Sequence, residues 1–257
     1  MDKTIKRKPS ETIELLQNRV SVRKYDDRPV GEETLKAVLE AAFRSPTSSN
    51  IQAYGVVVVR DQALKEKLSE VAGGQQHVKD APVFLAFCAD LTRIEAAIEK
   101  AGNVMGGANL EMSLVSSIDA SLVAMSAYLA ADSLGLKGVM IGGMRNDASE
   151  AARLLGLPHG VFCVFGMCLG FPAEAPPQKP RMDYSQMVHS ERYGALEDER
   201  PPARAIADYD ASLAAHYMDQ GRETVAAAWT GVSGLKFDSP RRPNLAKQLK
   251  QQGFDFN

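Results

Sequence analysis

The four histidines, His77, His159, His189 and His216, form no HxxxH or HExxH pair, so metal-assisted hydrolysis has no ligand set and no metal is expected. There is no GxSxG elbow, no Walker loop and no GxGxxG joining a strand to a helix, which argues against a serine hydrolase, a P-loop NTPase and a Rossmann dinucleotide site. Cysteine is scarce: Cys88, Cys163 and Cys168 sit in apolar stretches at no metal-like spacing and read as free buried thiols of a reduced, cytoplasmic protein. No continuous apolar run reaches the roughly 18 residues of a membrane span. The opening MDKTIKRKPSETIE is basic but lacks the apolar segment of a signal peptide. Net charge is also small, 30 Lys and Arg against 32 Asp and Glu, or −2. No global field draws the chain to nucleic acid or an anionic membrane, and any anion site must be built locally.

At 257 residues and 45% apolar composition, a sizeable core is within reach. Helical spacing predicts helices at Glu11–Asn18 and Glu32–Arg44, the second carrying Leu35, Val38, Leu39 and Ala42 on one face and stopped by Pro46. Gly55–Val59 and Pro82–Ala89 read as buried strands around a helix at Leu64–Val71. Ser113–Leu134 is the longest helical pattern, apolar or small nearly all round, which predicts burial inside the domain or at a subunit interface, with Gly135 closing it. Strands follow at Gly138–Ile141 and Val161–Leu169, separated by a capping box on Asp147 and Glu150. Helices and strands together predict an α+β domain. Beyond Leu169 the chain turns proline-rich and extended, and from Glu191 polar, with helices near Asp208–Met218 and Leu245–Gln252. The expected division is a core of residues 1–190 and a C-terminal segment, 191–257, that packs on the core and on a partner subunit.

Five short stretches carry chemical potential. Arg19, Ser21 and Arg23 lie within RVSVR, where two forked guanidinium groups and a hydroxyl suit a phosphate, although a solvated surface has the same composition. PTSSNIQ places Ser48, Ser49 and Asn50 in a polar loop between helix and strand, able to bind a ligand or to serve as a capped turn. Gly142 and Gly143 end a strand at Ile141, where glycine permits either close approach to a flat ligand or a plain turn. Lys179 and Arg181 flank Pro180 as a ligand-binding or a solvated pair, and Gln75 lies in the polar turn GGQQH. With no Rossmann site, hydride chemistry in this chain would need a bound flavin.

Taken in order, RVSVRKY, PTSSNIQ, AGGQQHVKDAP with FCAD, SLGLKGVMIGGMRN and FGMCLGFPAEAPPQKPR resemble the nitroreductase superfamily. The resemblance is to its larger branch, the major oxygen-insensitive NAD(P)H nitroreductases and P-type flavin reductases, and spans about residues 13–190. It implies a mixed β-sheet flanked by helices in an intertwined homodimer, with FMN held non-covalently between subunits and NADH or NADPH as electron donor. By that match Arg19, Ser21, Lys179 and Arg181 neutralise the FMN phosphate, with Val20 standing where relatives often carry a second basic residue. Arg23 sits at the pyrimidine end of the flavin, where negative charge accumulates on reduction. Ser48, Ser49 and Gln75 contact ribityl or ring atoms, and the backbone of Met140, Ile141, Gly142 and Gly143 approaches N5. Asn50, Arg222 and Arg242 become substrate contacts. No side chain acts as nucleophile, donor and acceptor use one flavin face in turn, and the kinetics are ping-pong. The implied reaction is two-electron reduction of nitroaromatics, quinones or flavins. A flavin-binding or redox-sensing protein of low turnover, and an FMN enzyme with another physiological acceptor, share the same motifs. In GRETVAAAWTGVSG, where NADPH-preferring relatives are arginine-rich, Gln220, Val225 and Ala226 leave Arg222 as the single cation between Gln220 and Trp229. That composition predicts weak NADPH selectivity.

Overall fold

The structure, a computed structural model, describes residues 10–107, 109–193, 202–222 and 228–256. Its helices and strands run α1 (Glu11–Gln17), α2 (Glu32–Ala42), β1 (Tyr54–Val59), α3 (Gln62–Val71), α4 (Gln76–Asp80), β2 (Val83–Asp90), α5 (Thr92–Lys100), α6 (Leu110–Ser133), β3 (Lys137–Ile141), α7 (Ala148–Leu155), β4 (Val161–Gly170), α8 (Tyr184–Met187), α9 (Pro202–Met218), α10 (Ala228–Phe237) and α11 (Leu245–Gln251). Two compact units emerge. One joins residues up to Pro176 with Arg242–Asn257, and the other is Pro177–Arg241. The units thus divide after Pro176 and Arg241, whereas the sequence placed one division after residue 190.

In the first unit the strands form one sheet in the order β1-β2-β4-β3, every pair antiparallel. The α+β class holds, but within the described chain the sheet is antiparallel rather than mixed. Pairing direction depends on how long connections return, and local pattern does not encode it. The centre of the sheet follows directly from the sequence. β2 is buried along its whole length, and its alternation sends Val83, Leu85, Phe87 and Ala89 to one face and Phe84, Ala86 and Cys88 to the other. The first face meets α2 and α6 through Leu35, Val38, Val123 and Ala127, and the second meets α3, α4 and α7 through Leu68, Val78 and Ala151. Gln248 of α11 ties the chain end to α7, accepting from the Ala148 amide at 3.1 Å and donating to Asp147 Oδ1 at 2.8 Å. Asp147 caps α7 by accepting from the Glu150 amide, while the Glu150 carboxylate pairs forward with Arg153 instead of closing a reciprocal box.

Of the burial expected for α6, inside the domain or at a subunit interface, one chain supplies only part. Its sheet-facing side is buried, but Leu110, Leu114, Ile118 and Leu122 stand 42%, 43%, 55% and 40% exposed in a row four residues apart. Such a stripe is a surface that association would cover. By length and a mean hydropathy of 1.5, α6 is the described helix apolar enough to cross a membrane. That apolarity comes from alanine-rich turns interrupted by Asp119 and several serines, and it packs as a core helix against α2 and the sheet.

The second unit is held by helix-to-helix polar contacts. Asp210 of α9 accepts from the Trp229 and Thr230 amides, at 2.6 and 2.9 Å, and so secures the start of α10. These bonds, first among them that from the Thr230 hydroxyl, hold the Asp210 carboxyl below its usual range. Val225 and Ala226 lie outside the described residues.

Candidate active site

Residues 19–25 have no regular structure, and tertiary hydrogen bonds lay them along β3. The Val22 amide donates to Gly138 O at 3.1 Å, and Tyr128 of α6 donates its hydroxyl to Val20 O at 2.7 Å. Arg19 lies over the Tyr128 ring, 5.6 Å from its centroid. Across the segment, Glu174 Oε1 accepts from the Arg23 and Lys24 amides at 2.6 and 3.2 Å, and the Ala173 amide donates to Lys24 O. Val20 contributes a carbonyl, Arg23 is exposed, and Ser21 is half-buried.

The double-glycine turn stands beside the Ala72–Gln75 turn. A Cβ on Gly143 would lie 2.7 Å from Ala72 O and 2.8 Å from Gln75 Nε2, and that same Nε2 donates to Ala72 O at 2.7 Å. The contact of two turns inside the protein therefore requires glycine at 143. Gly143→Ala is expected to cost about 1–3 kcal/mol through overpacking and to displace Gln75. Thermal unfolding of the variant checks this. Met140 is 37% exposed, Ile141 is buried, and Gly142 O accepts from Arg242, whose Nε also donates to Asn146 Oδ1 at 3.0 Å. Arg242, Asn146, Gly142 and Gln75 thus form one rim.

His77 begins just past Gln75. Burial, and then the positive charge of Arg23, keep its imidazole below its usual pKa, and its buried Nε2 has no hydrogen-bond partner among the described residues. The thiols offer no nucleophile. Burial pushes Cys168 well up, and a hydrogen bond with Cys163, reinforced by burial, does the same to Cys88. Among the described residues no group of three or more metal-ligating side chains gathers.

Ser48, Ser49 and Asn50 form an exposed 3-10 turn fixed to α6 at Asp119. Asp119 and Tyr128, which anchors the Arg19 segment, are separated by about 13 Å of helix axis at about 1.5 Å per residue. One chain does not merge the two groups into a single cluster. In the second unit Lys179 donates to Tyr217 Oη at 3.1 Å, and both Lys179 and Arg222 lie over the Tyr217 ring, at 5.3 and 5.8 Å. Arg181 donates to Lys179 O and Pro180 O.

Glu174, Asn146, Tyr128 and Asp119 were not singled out in the sequence. Asp119 alone carried a local signal, as the single charge between Glu111 and Asp132.

The motif for the nitroreductase family matches residues 16–171, and that for the nitroreductase family C-terminal domain matches residues 179–257. The chain is 36% identical over 245 residues to the oxygen-insensitive NADPH nitroreductase of Salmonella typhimurium, covering 95% of this chain and 98% of that one. It is also 36% identical over 252 residues to the FMN reductase [NAD(P)H] of Bacillus subtilis, with 95% and 98% covered. The solved structure of B. megaterium NfrA2 superposes with a TM-score of 0.90 at 34% identity, covering 97% of this chain and all of that one (100%). The chain belongs to the nitroreductase family.

Proposed function

We propose that this protein is an FMN-dependent NAD(P)H oxidoreductase that reduces small acceptors, nitroaromatics, quinones or free flavins, by two electrons in a ping-pong cycle. The observation that carries the proposal is the cationic segment Arg19–Arg23 laid along β3 beside the rim of Met140, Gly142, Gln75 and Arg242. Guanidinium groups, a hydroxyl and backbone amides beside an exposed strand end fit a flat cofactor that carries a phosphate. When bound, FMN would supply a carrier that takes hydride from a nicotinamide and passes two electrons on.

The residues of the chain then do four things. Arg19 and Ser21, with Lys179 and Arg181, bind the phosphate. Arg23 places a cation where negative charge develops, the role of an oxyanion hole. Ser48, Ser49 and Gln75 orient the cofactor, and Asn50, Arg222 and Arg242 orient the substrates. No nucleophile is needed, because stacking donor and then acceptor in one place supplies the rate.

The working unit is a homodimer with the cofactor between subunits, a reading supported by the bare apolar stripe on α6 and by the separation of the Ser48 turn from the Arg19 segment. Three free buried cysteines suit a reducing cytoplasm.

NADH is expected to serve at least as well as NADPH. The stretch from Gln220 to Trp229 offers only Arg222 to a 2′-phosphate, and each missing charge-assisted bond is worth about 1.5–3 kcal/mol. Steady-state kcat/KM for the two nucleotides at fixed acceptor tests this, and a preference for NADPH of about a hundredfold, some 2.7 kcal/mol, would contradict it. The same arginine-poor stretch favours, as a second reading, a flavin-binding sensor of low turnover, which would bleach with either nucleotide yet fail to cycle with any acceptor.

A further inference from the structure

We infer that Asp119 is a positioning residue that holds the Ser48–Asn50 turn in its ligand-binding conformation. The inference rests on the proposed flavin site, to which that turn contributes. Asp119 is 1% exposed, and both its oxygens are committed to one loop: Oδ1 accepts from the Ser48 amide and Oδ2 from the Ala53 amide, each at 3.1 Å. Between these two amides the backbone takes the left-handed region at three non-glycine residues, Ser49 (φ 47°), Asn50 (φ 56°) and Gln52 (φ 51°). L residues disfavour that region, and a run of them persists only where surrounding contacts enforce it.

The enforcing contacts come from α6. Among the described residues Asp119 has no ion pair, so two backbone amides balance its charge, and amides of a released loop could not do so. Two turns further along α6, Ser45 at the loop entrance donates to Ser126 Oγ at 2.7 Å. The three residues held in this way, Ser48, Ser49 and Asn50, are exposed polar side chains, so the clamp orders a surface and does not fill a core. The apolar residues Ile118 and Leu122 flank Asp119 on the same helix. In the proposed dimer the helical turn that carries Ile118 and Leu122 would therefore also set the loop.

The test compares Asp119→Asn with Val123→Ala, a substitution at a buried apolar α6 position that makes no side-chain hydrogen bond, and reads FMN affinity by fluorescence quenching and melting temperature of the FMN-free protein. Asp119→Asn should weaken FMN by about tenfold or more, as expected when one of the two loop amides loses its acceptor and faces an NH2 donor instead. Val123→Ala, one turn along the same buried helix face, should lower the melting temperature but leave FMN affinity within about twofold, because it changes packing and none of the loop's hydrogen bonds. Adding Gln52→Gly to Asp119→Asn relieves one left-handed position at the loss of only the long bond from Gln52 Nε2 to Asn50 O at 3.5 Å, and should recover part of the lost affinity. Equal loss of affinity in Asp119→Asn and Val123→Ala at equal melting temperature, or no recovery with Gln52→Gly, would overturn the inference. Hydrogen exchange on the unaltered holoprotein gives a second measurement: slow exchange at the Ser48 and Ala53 amides is expected, and exchange at the rate of open chain would also overturn it. If the unaltered protein does not bind FMN, the flavin reading itself fails. If Arg23→Ala weakens FMN while Asp119→Asn does not, only the role of Asp119 fails.

Discussion

Arg23→Ala is expected to slow reduction of the bound cofactor by NADH by about 10²–10³-fold, the usual effect of removing one aimed donor from a site of developing charge. Stability should hardly change. The side chain is exposed, and the bond that fixes the segment runs from the Arg23 backbone amide to Glu174, which alanine keeps. Arg23→Lys should recover only part of the rate, since an ammonium restores charge but not the planar fork. Stopped-flow reduction under anaerobic conditions separates this from an effect on acceptor turnover. A change smaller than about fivefold would remove Arg23 from the chemistry and leave it a surface cation.

The second large effect concerns assembly. Ile118→Asp should convert a dimer to monomers at micromolar concentration and release the flavin with them. Leu110, Leu114, Ile118 and Leu122 stand in one exposed row on α6. Burying each such side chain contributes about 1.5–3 kcal/mol, and a carboxylate at the centre of the row would lose its hydration without gaining a partner. Sedimentation velocity beside flavin absorbance reads both consequences. Ile118→Asp protein that stayed dimeric would show that association uses another surface. Protein that turned monomeric yet kept its flavin would show a site complete within one chain.

How much of this was legible in the sequence varies with the range of the forces involved. The strand VFLAFCAD and the helix from Leu110 to Ser133 were readable because burial writes itself into local period and composition. The caps on Asp147 and Gly135 were readable for the same reason: each acts within a few residues. α5 went unread although Ile94, Ala97 and Ile98 follow helical spacing, and none of its residues is fully buried. α10 contains two glycines, and the sequence alone predicts no helix there; Asp210, nearly twenty positions earlier, secures its first turn.

The candidate site divides along the same line. Arg19, Ser21, Arg23 and the double glycine announced themselves as motifs. Their supports did not, because Glu174 reaches Arg23 across about 150 positions and Arg242 reaches Gly142 across about 100. The double glycine left open close approach to a ligand or a plain turn, and Gly143 packs closely against Ala72 and Gln75. A motif reports that a residue type is required, and the structure reports what requires it.

The central claim, that this chain binds FMN and draws electrons from a nicotinamide nucleotide through it, is tested most directly by one titration. Protein freed of any cofactor is titrated with FMN, freed of excess, and then exposed to NADH without oxygen. The account predicts saturation at one FMN per chain in a dimer, followed by full bleaching of the flavin band on adding one equivalent of NADH. Failure to retain FMN, or retention of a flavin that neither NADH nor NADPH bleaches, would contradict it.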